Sequence, residues 1–287
     1  GASIAAETSW TRVVPWNTGS LTRRLYRTSG TLAQFQLVAD AIATTTYNDT
    51  ILDANLPGDD LISDGWQPPP VDLSCLRVTP SGSLVGISGN LICFSEPYQP
   101  HAWPDAYKFS CDFPLVGVGV SRSDVIRVTS ANPYLVTGTE PSSMYSQKLA
   151  GIYPGLSKRS IVSDGNACYF ATKSGIAGVQ GGQVSIVTSP WFTQDEWKDY
   201  NPSTMYSAYL QDRIMVGYTD ASANKRMLVF NFAYQQLTTL DLSTYALYVD
   251  ETTGLMWVST ADGICEFDSA SAVPLLMEQW SKEFVLP

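Results

Sequence analysis

The sequence predicts an all-β protein, a β-propeller of about five four-stranded blades that follows a smaller β-rich segment. Three observations predict this fold. Short runs rich in Val, Ile, Thr and aromatic residues recur along the 287 residues, and such residues favour a pleated, half-buried surface. Gly, Asn, Asp, Ser and Pro separate the runs, while helical periodicity is scarce. A longer period of about 43 residues then groups the runs into repeats.

The first 64 residues lie outside this repeat. They contain three runs that alternate like the strands of a small sandwich, at 24–28, 35–39 and 45–50. The sequence then turns polar, and residues 65–70 (GWQPPP) form a stiff, Pro-rich joint. The predicted domains are therefore residues 1–64 and 65–287.

Five repeats follow the joint, each with a strand, a tight turn, a second strand, another turn and a third strand. The second strands begin at Leu84, Val125, Ala167, Ile214 and Leu255, with spacings of 41, 42, 47 and 41 residues. A fourth strand fits the rest of each repeat, at 107–111, 144–149, 183–188, 236–241 and 276–280. This size is typical of a propeller blade. Regular hairpins of a β-sandwich would recur at about 8 to 12 residues without the longer period.

One helix is predicted, over residues 194–200. Thr193 and Glu196 have the spacing of a capping box, and Asp195 suits the positive end of the helix dipole. The helix must end before Pro202, because proline and the residue before it disfavour helical backbone. Its insertion explains the one spacing of 47 residues.

Composition excludes several classes of protein. Lys and Arg number 17 against 27 Asp and Glu, which gives a formal charge of −10. A surface that binds nucleic acid tightly needs clustered basic residues, and this composition argues against one. No apolar run approaches the length of a membrane span. Five Cys stand far apart without a CxxC pair. This pattern predicts free thiols in a reducing compartment rather than disulfides or a zinc site.

The sequence assigns no catalytic, cofactor-binding or metal-binding residue. The single histidine, His101, cannot form a metal centre unaided and has no acid placed to complete a triad. The Ser-x-Asp-x-Gly-x-x-Trp box of sialidase-like propellers is absent, and the Asp-Gly pairs at 164–165 and 262–263 fit hairpin turns. The Gly-rich run 178–182 lacks the Lys and the helix of a phosphate loop. We therefore expect neither an enzyme nor a cofactor.

Several stretches resemble one family, the tail nozzle or tail tube structural proteins of short-tailed bacteriophages and prophages. Residues 24–28 (RLYRT) and 35–50 (FQLVADAIATTTYNDT) resemble a fibronectin-like segment of these proteins. The resemblance continues along the chain in PSSMYSQKL (141–149), TQDEWKDYNPS (193–203) and SKEFVLP (281–287). Its most specific pieces are SEPYQPHAWP (95–104) and SKRSIVSDG (157–165).

This resemblance implies a partial fibronectin-III-like β-sandwich in residues 1–64 and a β-propeller in residues 65–287. It implies a non-enzymatic virion protein of the tail, assembled in the cytoplasm of a bacterial host. Its partners would be other copies of itself in a ring (a hexamer is one such ring), the portal, the adaptor and other tail proteins. Genomic DNA would be retained and then ejected through the ring without specific binding. No membrane insertion and no family site residues are implied.

The acid excess fits a DNA conduit. Each phosphate contact would add affinity and slow the passage of DNA, whereas acidic subunits repel the duplex within a Debye length of about 8 to 10 Å. The alternative hypothesis is a propeller lectin or receptor-binding module that recognises a host-surface glycan. The aromatic residues of 98–103 and 190–197 suggest it, because aromatic rings stack on sugars.

Overall fold

The computed structural model describes residues 22–29, 33–44, 47–122, 124–231 and 234–269. The chain divides into two compact units, residues 1–68 and 69–287. The division between Pro68 and Pro69 lies inside the Pro-rich joint. No helix in the described ranges is both long and apolar enough to cross a membrane.

Among its described residues, the first unit has one antiparallel hairpin, formed by β1 (Arg23–Thr28) and β2 (Phe35–Ile42). These strands coincide with the first two predicted runs. The third predicted strand is wrong for residues 47–50, which have no regular secondary structure, while residues 45–46 lie outside the described part. The Arg27 guanidinium pairs with Asp49 at 2.5 Å and donates to the Ile51 carbonyl at 2.6 Å. Side-chain contacts, rather than a strand ladder, therefore fix this segment, and its fibronectin-like character stays a prediction.

In the part of the second unit that the structure describes there are five antiparallel sheets, each with its strands in sequence order. Blade 1 contains β3 (Ser74–Val78), β4 (Leu84–Ser88), β5 (Leu91–Phe94) and β6 (Lys108–Ser110). Blade 2 contains β7 (Leu115–Ser121), β8 (Asp124–Thr129), β9 (Tyr134–Thr137) and β10 (Tyr145–Lys148). Blade 3 contains β11 (Val162–Ser163), β12 (Cys168–Thr172), β13 (Gly175–Gln180) and β14 (Gln183–Ile186).

Blade 4 contains β15 (Tyr206–Leu210), β16 (Arg213–Thr219), β17 (Lys225–Asn231) and β18 (Gln236–Leu240). Blade 5 contains β19 (Ala246–Asp250), β20 (Leu255–Thr260) and β21 (Gly263–Glu266). The predicted fourth strand of blade 5, at 276–280, lies outside the described residues. In blades 1 to 4, the fourth strand forms where the repeat predicts it.

The five sheets are arranged around one axis. Their first strands, β3, β7, β11, β15 and β19, surround a common cavity. Along the chain β3 lies against β7, β7 against β11, β11 against β15, and β15 against β19. Radial sheets with their first strands on the axis define a β-propeller, and the predicted all-β propeller is confirmed.

Apolar cores lie between successive blades, because each sheet has two faces to bury. In β16, Ile214 and Val216 pack against blade 3, whereas Met215 points the other way and packs with Met256 of blade 5. Similar cores join blades 1 and 2 and blades 2 and 3. This two-sided burial explains why the strand sequences read as nearly continuous apolar runs.

The predicted helix forms as α1 (Gln194–Asp199), one residue shorter than expected. Thr193 and Glu196 make both halves of the capping box: the Glu196 N–H donates to Thr193 Oγ1 at 3.3 Å, and the Thr193 N–H to Glu196 Oε2 at 2.8 Å. The helix buries Trp197 in the core between blades 3 and 4. Single 3-10 turns occur at Asp53–Asn55, Asp105–Tyr107, Pro141–Ser143, Lys158–Ser160 and Pro202–Thr204.

We expect Thr193→Ala to lower the free energy of unfolding by about 1 kcal/mol, because the first turn of α1 loses its cap. Urea denaturation followed by circular dichroism measures this change. Thr193→Ser keeps the hydroxyl and should stay within about 0.5 kcal/mol of the natural chain. Equal losses in both variants would contradict the role of the cap.

Candidate functional site

The axial cavity is the first candidate site. Its volume is about 1050 Å³, and the first strands of all five blades line it. Leu76, Val78 and Tyr248 present apolar surface to it and are 48%, 67% and 64% exposed. Ser207 and Gln211 add polar groups. The cavity is therefore wide and mixed in character.

Three charged residues line this cavity: Arg77, Arg122 and Glu251. Arg77 donates to the Leu76 carbonyl at 2.9 Å and reaches the Ile161 carbonyl at 3.4 Å, so its guanidinium binds backbone of blades 1 and 3. Glycoside hydrolysis needs two carboxylates facing each other about 5 to 9 Å apart. Among the described lining residues Glu251 is the single carboxylate, and this arrangement does not meet that requirement.

The structure assembles no metal centre in the part of the chain that it describes. No group of three or more His, Cys, Asp or Glu there could hold a metal ion. His101 lies at the surface, in the loop between β5 and β6. The position of His101 thus adds no chemistry to the axial cavity.

The segment 95–104 packs as a structural loop of blade 1. Trp103 is 1% exposed, and its indole N–H donates to the Pro100 carbonyl at 2.9 Å. The Tyr98 N–H donates to the Gly82 carbonyl at 2.9 Å. Gly82 has φ +81°, and a Cβ there would lie 2.5 Å from the Tyr98 ring. The loop therefore clamps the turn between β3 and β4.

The segment 157–165 joins three blades. Ser157 Oγ donates to the Met205 carbonyl at 2.5 Å, which links blade 3 to blade 4. The Arg159 guanidinium lies 4.8 Å from the centre of the Tyr206 ring in blade 4. It also donates to the Tyr245 carbonyl, immediately before blade 5, at 2.6 Å. One short segment thus holds blades 3, 4 and 5 together.

We expect Arg159→Met to destabilise the protein by about 1–2 kcal/mol, because it loses the charged hydrogen bond and the cation–π contact but keeps an apolar stem. Arg159→Lys keeps the charge without the planar guanidinium and should lose roughly half as much. Urea denaturation of both variants measures the difference. A methionine variant as stable as the natural chain would contradict the joining role.

The Asp-Gly pair at 164–165 forms a hairpin turn, as predicted. Asp164 accepts hydrogen bonds from the backbone N–H groups of Asn166 at 2.7 Å and Ala167 at 2.6 Å. It also accepts one from the Tyr169 hydroxyl at 3.0 Å. Burial, followed by the nearby Asp164 carboxylate, raises the pKa of Tyr169. The carboxylate therefore stabilises a turn and a neutral phenol.

Burial raises the pKa of several interior thiol and phenol groups and so favours their neutral forms. All five cysteines are free. Burial raises the pKa of Cys168 to about 12 and also raises the pKa of Cys93. Burial likewise raises the pKa of Tyr218 to about 12. The nucleophilic form of cysteine is the thiolate. Because Cys168 is buried and stays protonated near neutral pH, we assign it to the core and not to a reactive site.

We expect N-ethylmaleimide to modify Cys168 at pH 8 about 100-fold more slowly than it modifies the exposed Cys265. Because folding raises the pKa of Cys168, its contribution to stability is present below pH 9 and is lost as the pH rises towards 12. Mass spectrometry of labelled peptides measures the rates, with urea-unfolded protein as the control in which all thiols react. Equal rates in the folded chain would contradict this burial.

The aromatic residues behind the glycan-binding hypothesis are mostly interior. Trp103 and Trp197 are 1% and 0% exposed. Trp191 and Phe192 are partly buried against the core between blades 3 and 4. Tyr98, at 78% exposure, is the one aromatic residue of these two segments whose ring is largely available to stack on a sugar.

Sequence reasoning missed Arg127, a basic residue inside an apolar strand. Arg127 lies on β8 and is 3% exposed. Its guanidinium donates to the Ser110 carbonyl and to Cys111 Sγ, each at 3.3 Å, and lies 6.0 Å from the Phe109 ring centre. The side chain therefore links blade 2 to blade 1. The sequence signal that could have identified this buried residue is the single basic side chain within the apolar run VIRVT.

No protein-family model matches this chain, and no curated protein matches it. Solved structures of similar fold include the WD40 domain of Toxoplasma gondii coronin, with 9% identity, a TM-score of 0.45 and coverage of 66% of this chain and 53% of that one. The N-terminal domain of Nup159 has 8% identity, a TM-score of 0.44 and coverage of 68% and 60%. YCF48 from Cyanidioschyzon merolae has 12% identity, a TM-score of 0.44 and coverage of 70% and 69%. The chain spans less than two thirds of the first two structures, and the assignment as a propeller depends on its own five sheets.

Proposed function

We propose that this chain is a non-enzymatic structural subunit of the tail nozzle or tail tube of a short-tailed bacteriophage or prophage. One observation carries the proposal. The two segments with the most specific resemblance to that family, 95–104 and 157–165, serve structural contacts: the first packs within blade 1, and the second contacts blades 4 and 5. Arg159 joins three blades, and Trp103 packs its loop into blade 1. A resemblance that lies in joining residues suits a scaffold, whereas an enzyme family would share reacting groups in a pocket.

The state of the titratable groups supports a scaffold as well. Cys168 and Tyr218 have pKa values raised to about 12 by burial, and so stay neutral at physiological pH. Catalytic groups usually have a pKa shifted towards the working pH. In the axial cavity Arg77 is engaged by backbone carbonyls rather than by a second charge. These groups stabilise a fold and offer no nucleophile or general base.

The net negative charge of the chain suits a passage through which DNA moves without being bound. Each copy carries a formal charge of −10, and a ring of copies would repel the phosphate backbone within about 8 to 10 Å at physiological salt. The partners in this proposal are further copies of the chain, the portal, the adaptor and other tail proteins. The location is the virion tail, after assembly in the bacterial cytoplasm.

Mass spectrometry of gradient-purified, nuclease-treated particles tests this function. We expect the chain in tailed particles in several copies per particle, and its absence from tailless heads of the same lysate. The tailless heads control for adsorbed protein. A chain that is abundant in the lysate but missing from tailed particles would overturn the proposal.

A further inference from the structure

One end of the axial cavity is surrounded by the turns that follow the five first strands. Because the blades repeat one strand order, the equivalent turns of successive blades come together at the same end of the axis. Each turn contributes one residue to the lining of the cavity, directly or one position after its strand: Pro80, Arg122, Gly165, Gln211 and Glu251. We call the ring of these five residues the axial mouth.

Three of the five residues of the axial mouth carry long polar side chains. Arg122, Gln211 and Glu251 are exposed, and within the described residues none of these side chains has a hydrogen-bond or ion-pair partner. A guanidinium, an amide and a carboxylate are planar groups that can each form two hydrogen bonds at once. The axial mouth therefore presents donors and acceptors that the fold itself does not use.

The turn that carries Arg122 is fixed by blade 3. Arg122 has φ +53°, a sparsely populated conformation for a residue other than glycine. Its backbone N–H donates to the Gly165 carbonyl at 2.9 Å, and Ser121 Oγ donates to the Asn166 carbonyl at 2.6 Å. These two hydrogen bonds hold the backbone of Arg122 in place, as a preorganised binding group requires.

The lining of the cavity is positive although the chain is acidic. Its charged residues are two arginines, Arg77 and Arg122, and one carboxylate, Glu251, whereas the whole chain carries −10. Backbone carbonyls engage Arg77, so Arg122 is the guanidinium of this lining that is available to a ligand. One guanidinium matches one carboxylate in a bidentate pair. A nucleotide with several phosphates would place more negative charge beside Glu251 than Arg122 can balance.

Tyr248 of β19 adds an aromatic ring to the cavity. Its neighbours Leu247 and Val249 pack into the core with blade 4, so the alternation of the strand directs Tyr248 away from that core. Tyr248 lines the cavity and is 64% exposed. A tyrosine combines an apolar ring face with a polar tip, and the C–H face of a sugar ring stacks on such a surface. The volume of about 1050 Å³ lies at the upper end for small-molecule sites.

We propose that the axial mouth binds a saccharide that carries a carboxylate, a uronic acid or a sialic acid. The carboxylate accepts two hydrogen bonds from Arg122, the sugar ring stacks on Tyr248, and Gln211 and Glu251 bind its hydroxyl groups. This binding forms and breaks no covalent bond. The inference goes beyond the proposed function and does not depend on it. It assigns glycan binding to residues outside 98–103 and 190–197, where the sequence suggested it.

D-Glucuronate and D-glucose are matched probes for this site, because they differ only at C6, where glucuronate has the carboxylate. We expect the full-length chain to bind glucuronate at least about 10-fold more tightly than glucose. Saturation-transfer NMR detects the binding, and titration gives the affinities. Arg122→Gln should lower the affinity for glucuronate to within about 3-fold of that for glucose. Tyr248→Ala should weaken glucuronate about 5-fold to 10-fold.

Two variants control for loss of charge and loss of a tyrosine elsewhere. Lys173→Gln removes a positive charge at the turn between β12 and β13, at the end of blade 3 opposite to Gly165. Tyr234→Ala removes a 74% exposed ring outside the cavity lining. We expect both variants to bind glucuronate like the natural chain. Circular dichroism of all four variants verifies that each is folded.

Inorganic phosphate and AMP separate a sugar-acid site from a general anion site or a nucleotide site. We expect glucuronate to stay bound in the presence of an equal concentration of either competitor. Displacement by phosphate or AMP would overturn the inference. So would a natural chain that does not bind glucuronate or binds glucose equally well, or an Arg122→Gln variant that binds glucuronate like the natural chain.

The outcome is distinguishable from that of the proposed function. A chain that binds glucuronate through Arg122 but is missing from tailed particles would remove the proposed function alone. A chain that is present in tailed particles but does not bind glucuronate would remove this inference alone.

Discussion

Replacing Trp197 by alanine is expected to lower the free energy of unfolding by about 3–5 kcal/mol, the range for truncating a buried large aromatic residue. Trp197 is 0% exposed, and its ring stacks on Tyr200 at 5.8 Å and packs against Phe192 at 5.5 Å. Its indole N–H donates to the Thr172 carbonyl at 2.9 Å. The variant therefore leaves a cavity between blades 3 and 4 and removes the donor to a buried carbonyl.

Urea denaturation followed by circular dichroism measures this loss. Tyr234→Ala is the control, since Tyr234 is 74% exposed and its truncation should change stability by less than about 0.5 kcal/mol. Trp197→Phe keeps an aromatic ring and should fall between the two. A Trp197→Ala variant that loses less than about 1 kcal/mol would contradict a helix that anchors blade 3 to blade 4.

Gly119→Ala is expected to destabilise the protein by about 1–3 kcal/mol, the range for overpacking a tight core. A Cβ at Gly119 would collide with Cys168 Sγ and would lie 3.2 Å from a methyl group of Ile161. Blade 2 can approach blade 3 this closely because β7 has glycine at this position. The sulfur of Cys168 is the nearest of these neighbours, and a substitution that removes it should relieve most of the strain.

Cys168→Ala removes the sulfur and is expected to restore stability when it is combined with Gly119→Ala. The double-mutant cycle should give a favourable coupling of about 1–2 kcal/mol, measured by urea denaturation of the natural chain, both single variants and the double variant. Additive losses would show that β7 and β12 do not meet at this point.

Local signals in the sequence are sufficient for most of the fold. Turn residues delimit each strand, and the spacing of second strands from Leu84 to Leu255 fixes the blade size. The capping box formed by Thr193 and Glu196 predicts the helix because its two partners stand three residues apart. Residues 47–50 were misread as a strand because polar alternation alone does not distinguish a strand from an extended loop fixed by Arg27.

Long-range contacts could not be predicted in the same way. The role of Arg159 depends on Tyr206 and Tyr245, which are 47 and 86 positions away along the sequence. Trp103 and Trp197 suggested a binding surface because a buried and an exposed aromatic residue look alike in a loop sequence.

Cryo-electron microscopy of tailed particles tests the central claim most directly, namely that this propeller shapes a passage for DNA. We expect a symmetric ring of copies, each with this propeller fold, around the DNA path. A reconstruction that places the chain as isolated copies on the tail periphery, away from that path, would contradict the claim.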